Sequence, residues 1–214
     1  MTADGPGGPK NGAEPSSRGG VPAHGDAHRA SRNEPRLPLP TEPTAGTELA
    51  REYAAARERE GRVMAILRAM GPRVEVLRGF LALADAVLYG PAVLGHRERE
   101  LLGWATSQAN GAEYSAGIHA DLLDRRGGGP DGSDRDRALV AFARRLTLTP
   151  TEAGEAVDDL REHLSADEVY DAIAVVALLN FANRVALATR ISSADDLDEQ
   201  PQSSASEKRP TAGS

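Results

Sequence analysis

The sequence predicts an all-α fold. Three observations predict it: apolar residues recur at three- and four-residue spacing through the central chain, no segment sustains the alternation of a half-buried strand, and helix start and stop signals recur along the chain. Residues 46–192 form the expected helical domain, about 145 residues, enough for one core of ordinary size. Residues 1–45 hold eight of the fourteen prolines, many glycines and almost no periodic apolar residues. Such a segment cannot bury enough surface to offset chain entropy and is expected to be disordered, as is the polar tail 193–214 with Asp195, Asp196, Asp198 and Glu199.

Within the domain, Val63, Ile66, Leu67 and Met70 recur at helical spacing, and Gly71-Pro72 ends that helix and opens the next. The second helix, from about Pro72 to Tyr89, places Val76, Phe80, Leu83 and Val87 along one face. Gly90-Pro91 turns the chain, and His96-Arg97-Glu98 leads into a third helix reaching about Ala109. Asn110-Gly111 is a turn dipeptide, preceding a fourth helix to about Arg126 with Gly127 as its C-cap. Beyond the glycine-rich stretch 127–133, Ala138, Val140, Ala141 and Leu146 mark a fifth helix, and Thr151-Glu152 opens a sixth. Ser165 and Glu168 have the capping-box spacing, in which each side chain satisfies a free backbone donor, and begin the longest helix, through Val175, Leu178, Leu179 and Val185 to about Ile191.

Composition narrows the functional classes. A net charge of −7 and a pI near 5.3, with no basic stripe, argue against a nucleic-acid partner. No stretch approaches eighteen consecutive apolar residues and no apolar run of signal-peptide length opens the chain, so neither membrane insertion nor secretion is expected, and the expected compartment is the cytoplasm. The chain has no cysteine. Thiol peroxidase chemistry needs an attacking thiolate and a resolving thiol, so it is excluded.

The absence of cysteine matters because of where it falls. Glu98-Arg99-Glu100-Leu101-Leu102-Gly103-Trp104, with the run from Ala109 to His119 after it, resembles the core repeat of the alkylhydroperoxidase and carboxymuconolactone decarboxylase superfamily. Ala84–Gly90 resembles the segment before that core in peroxidase-related members, and Leu178–Arg184 resembles their C-terminal signature, so the likeness spans about residues 61–192. Peroxidase members carry a Cys-x-x-Cys pair ending four residues before a helical histidine; here those positions are Ala112 and Ser115, and the histidine is His119. The resemblance implies a compact multi-helix alkylhydroperoxidase-like fold, a homo-oligomer, and an acid/base pair of His119 with Glu100, nineteen positions earlier.

Each candidate also has a plainer role. An imidazole suits proton transfer near neutral pH, and Glu100 could fix its tautomer if the two helices pack antiparallel; Glu100 could equally belong to a solvated charged face with Glu98, Arg97 and Arg99. Decarboxylase-like members tend to carry a glutamate six residues before the histidine, which matches Glu113. Six residues turn a helix by about 600°, so direct contact between Glu113 and His119 within one helix is not expected. Ser115 shares the His119 face and could hydrogen-bond in a pocket, as could Tyr114, but nucleophilic use of Ser115 would also need an oxyanion hole. Arg184, four residues after Asn180 on the longest helix, which also carries Asn183, could clamp a substrate carboxylate or equally serve a subunit contact or a buried polar network. Trp104 and Tyr89 read as core. His24 and His28 have metal-like spacing without further ligands, and no metal site or cofactor is expected.

The leading expectation is cofactor-independent acid/base chemistry on a small organic acid or lactone, with His119 as general acid or base, Glu100 as its orienter, and Glu113, Tyr114, Ser115 and Arg184 around the substrate. The alternative is a non-catalytic oligomeric scaffold or small-molecule binder derived from an alkylhydroperoxidase-like ancestor.

Overall fold

A computed structural model of the chain describes residues 34–129 and 132–198. The expected disorder of the outer tails, together with His24 and His28, lies outside the described residues.

Helix α1 spans Glu48–Glu60. Its Thr47 side chain accepts from the Ala50 N–H, and Gly61 closes it in the left-handed region at φ 69°. Helix α2 is the single turn and a half Ala65–Met70, and α3 runs Val74–Ala84. The helix then continues as a π-helix, Asp85–Tyr89, ending at Gly90. Helices α4, His96–Asn110, and α5, Glu113–Arg125, form a hairpin about Gly111, whose φ of 65° is the left-handed conformation that the turn requires. Then come α6, Asp134–Leu148, a 3₁₀ turn Pro150–Glu152, α7, Ala153–Arg161, and α8, Ala166–Thr189. Ser165 and Glu168 make the expected reciprocal cap on α8. Hydrogen bonding from Arg135 holds the Glu168 carboxyl down at about 2.

Helix α8 is the axis of the bundle: it contacts α2, α4, α5, α6, α7 and the π-helix. Ala172, Val175, Val176, Leu178, Leu179, Ala182 and Ala186 are all buried. By length and composition alone it could cross a membrane, but half of its most apolar stretch is buried within the bundle, as expected of a core helix contacted on several sides. The main core joins Leu101, Leu102 and Ala105 of α4 to Leu139, Phe142 and Ala143 of α6 and to α8. A second core surrounds Tyr53, Leu67, Met70 and Leu77.

Two expected faces hold in part. Along α3 and the π-helix, Phe80 and Val87 pack against the main core, but Val76 and Leu83 are 43% and 50% exposed, while Leu77, Ala84 and Leu88 are buried. On α6, Ala138, Val140 and Leu146 pack partly against the core and Ala141 is exposed, while the buried apolar residues are Leu139, Phe142 and Ala143. Both helices are apolar over more than one face, so spacing alone fits two adjacent stripes equally well.

Packed chain extends past 46–192 at both ends. Buried Arg68 donates from Nε to the Pro40 carbonyl and from Nη2 to that of Leu39, both at 3.1 Å, and from Nη1 to Asp195. Residues Leu197–Asp198 pair antiparallel with Arg62–Val63, forming a two-residue ladder that periodicity cannot reveal. One guanidinium thereby gathers both ends of the described chain against α2.

Candidate active site

The α4–α5 hairpin brings the expected pair together. Glu100 lies in the second turn of α4 and is 2% exposed; His119, in the second turn of α5, is 7% exposed. Glu100 Oε2 and His119 Nδ1 are 2.8 Å apart. A carboxylate can only accept here, so Nδ1 carries the proton of this bond, and Nε2 is left as the nitrogen that can exchange a proton with a ligand. Nε2 makes no hydrogen bond among the described residues.

Gly103 makes the approach possible. An added Cβ at this position would lie 2.7 Å from His119 Nδ1 and 2.8 Å from Cε1, closer than real contacts allow. Glycine in a helix interior costs about 1 kcal/mol relative to alanine, and here its bare backbone seats the imidazole against α4. Arg126 completes the cluster, its Nη1 being 3.5 Å from Glu100 Oε1.

His119 lines a cavity of about 650 Å³ between α5, the α1–α2 junction, α3 and the π-helix. Its floor is apolar, from Ile66, Leu67, Phe80, Leu88 and Leu179, and its polar wall holds Ser115, Tyr114, Tyr89, Arg125 and Arg126. This volume lies in the range of small-molecule sites. Glu100 does not line the cavity; it stands behind His119.

The other sequence candidates divide. Ser115 is buried and lines the cavity one helical turn before His119. Tyr114 also lines it, and its hydroxyl donates to Asp196 Oδ1 at 3.0 Å; burial, then the Asp196 charge, raises the phenol above its ordinary range. Asp196 also accepts from the Ala65 N–H and pairs with Arg62 at 3.2 Å, so the C-terminal strap braces the wall. Glu113 is exposed in the first turn of α5 and borders shallow surface grooves instead of this cavity. Arg184 lies on the outer side of α8, where it donates to the Asn180 carbonyl and side chain, away from His119. Asn183 is buried against Ser107. Ala112 caps α5 from a buried position outside the cavity.

Several residues escaped the sequence reading. Arg126 falls seven positions after His119, two turns along one face, and that spacing could have revealed it. Gly103 carried the signal of a glycine inside a helix. Tyr89, expected in the core, is 40% exposed at the cavity wall. Trp104 is half-buried and borders grooves on the far side of α4. Among the described residues, no group of three His, Asp or Glu side chains is arranged to hold a metal ion.

Residues 75–132, which include α3, the π-helix and the whole hairpin, match the model of the Carboxymuconolactone decarboxylase family. Over that segment the chain is similar to the carboxymuconolactone decarboxylase family. Solved structures extend the likeness to the whole bundle. An uncharacterized peroxidase-related protein from Silicibacter sp. TM1040 superposes with a TM-score of 0.63 at 23% identity, covering 78% of this chain and 94% of the other. A peroxidase-related protein with an alkylhydroperoxidase AhpD core, from Ralstonia eutropha JMP134, gives 0.64 at 22% identity, covering 76% and 94%. The debrominase Bmp8, as its C82A variant in complex with 2,3,4-tribromopyrrole, gives 0.61 at 18% identity, covering 72% and 90%. Identities this low establish the alkylhydroperoxidase-like fold and leave activity open. No curated protein matches the chain.

Proposed function

We propose that this protein is a cofactor-independent enzyme of the carboxymuconolactone decarboxylase class that moves protons on a small organic acid or lactone bound beside His119. The observation that carries this reading is a buried imidazole, tied through Nδ1 to Glu100, lining a cavity of about 650 Å³ with Nε2 free of protein partners among the described residues. In this scheme His119 Nε2 is the general acid or base and Glu100 orients the ring. Deprotonation of a carbon beside a carbonyl, or protonation of the carbanion left by decarboxylation, needs one such positioned group. Ser115 and Tyr114 are pocket hydrogen-bonders, and Arg126 with Arg125 takes the role of carboxylate anchor that spacing had suggested for Arg184. The reading includes a homo-oligomer in the cytoplasm, the oligomer being supported by the exposed apolar residues Val93, Leu148 and Phe181.

The test is thermal unfolding of the wild type and of His119→Ala with millimolar lactone carboxylates, hydroxy acids and keto acids. A ligand at about a hundred times its Kd stabilises the folded state by about 2.7 kcal/mol. The expected result is a melting-temperature rise in the wild type that His119→Ala loses and Arg184→Ala keeps. No response in either protein, with His119→Ala merely less stable, would favour the non-catalytic scaffold.

A further inference from the structure

The π-helix at Asp85–Tyr89 forms part of the cavity wall through Leu88 and Tyr89. A π-turn inserts one residue per turn and rotates the residues downstream of it, and such turns concentrate at functional sites. Here the Gly90 N–H reaches back to the Asp85 carbonyl at 2.5 Å, and an added Cβ at Gly90 would lie 2.6 Å from that oxygen, so the turn requires glycine. Arg99, almost fully buried on α4, donates from Nη1 to the carbonyls of Val87 at 3.2 Å and Gly90 at 3.0 Å, on either side of Tyr89. Its Nε has no partner among the described residues, and burial lowers its pKa. A buried guanidinium that leaves one donor unmatched is a costly way to hold a loop, and the segment it holds is the backbone on both sides of Tyr89.

Tyr89 itself has the character of a donor. Its hydroxyl makes no hydrogen bond among the described residues, and the Arg59 guanidinium stands 6.0 Å from its ring centre. Partial burial against the cavity wall, and then the negative charges of Glu60 and Glu100, push its phenol up to about 12, so it remains protonated through the neutral range. A neutral phenol facing a cavity can donate to a ligand oxygen.

We propose that Tyr89 is a catalytic hydrogen-bond donor of this cavity, positioned by the Arg99-anchored π-turn, and that the ligand it selects carries a carbonyl oxygen beside the carbon that His119 protonates or deprotonates. This rests on the acid/base reading above and narrows its substrate class to oxo acids and lactones. In the forward step the C–H bond breaks and its proton passes to Nε2. The C–H electron pair becomes the enolate double bond, and the carbonyl π pair moves onto oxygen. Tyr89 hydrogen-bonds that oxygen while keeping its own proton, and the reverse step returns the Nε2 proton to carbon.

The test uses 4-oxopentanoate with the full-length protein in D₂O, tracking deuterium incorporation beside the ketone by NMR, with binding measured calorimetrically against pentanoate, which lacks the oxo group. The wild type is expected to accelerate exchange and to prefer 4-oxopentanoate. Tyr89→Phe should fold normally, lose the preference and slow exchange about 100-fold, the size of an oxyanion-donor loss. Gly90→Ala keeps the phenol but disturbs its placement; it should slow exchange similarly and lose the preference for 4-oxopentanoate over pentanoate. Wild-type exchange and preference in Tyr89→Phe would overturn the role of Tyr89 while leaving the His119 site standing. Wild-type behaviour in Gly90→Ala would overturn the positioning by the π-turn. Failure of the wild type itself to bind or exchange 4-oxopentanoate would overturn both the proposal and the acid/base reading beneath it.

Discussion

The α4–α5 hairpin and the α3 segment before it are built from similar material, yet only the hairpin shows its three-dimensional arrangement in its sequence. In the hairpin, a left-handed Gly111 fixes the turn, and the nineteen-residue separation of Glu100 from His119 becomes a contact of 2.8 Å. In α3, apolar residues cover adjacent stripes, and the stripe of Val76 and Leu83 points outward while Leu77 and Leu88 pack inward. Polar residues at fixed separation across a tight turn carry geometric information, because few arrangements satisfy them together. Apolar residues on a broadly apolar helix carry little, because rotating the helix by one position leaves a comparable face.

The largest expected effect breaks this contrast on α3. Leu77→Ala should destabilise the fold by about 2–5 kcal/mol as a cavity-forming substitution, and Leu83→Ala by less than about 0.5 kcal/mol, measured by denaturant unfolding. Equal losses would mean that α3 packs through the other stripe. A somewhat smaller effect sharpens the hairpin's side. Gly103→Val places a branched side chain where even Cβ would meet the imidazole, and should cost about 1–3 kcal/mol by overpacking while abolishing ligand response at His119. A Gly103→Val protein that kept both its melting temperature and its ligand response would show that the ring does not depend on this close approach.

Legibility in the sequence divides along the same line. Helix starts that rest on a specific chemical device were readable: Ser165 with Glu168, the Gly71-Pro72 break and the Asn110-Gly111 turn lie where the chain bends or begins its helices. The pairing of Glu100 with His119 was readable through the resemblance to the alkylhydroperoxidase core repeat, which also implied that Ser115 and Tyr114 lie near the same pocket. Helix α1 carries a modest apolar face that buries Tyr53 and Ala56 and packs Leu49 partly against the second core, so its pattern is faint. The π-turn was hidden because a one-residue insertion leaves composition unchanged, and with it the placement of Tyr89. The choice among the roles open to Arg184 was not readable, because a helical interval to Asn180 indicates shared facing but not which face meets the cavity; Arg184 bonds Asn180 on the outer side of α8. The strap formed by Asp195–Asp198 rests on contacts with Arg68, Ala65 and Tyr114, more than eighty residues away in sequence, which local pattern cannot encode.

The most direct test of the central claim, that His119 is held by Glu100 and turned toward a ligand cavity, is ¹⁵N NMR of the histidine side chains with and without 4-oxopentanoate. The account predicts a His119 Nδ1–H proton in a strong hydrogen bond that Glu100→Gln weakens, and an Nε2 resonance that moves when the ligand is added. A proton resident on Nε2 with Nδ1 bare, or an Nε2 resonance indifferent to ligand, would contradict it.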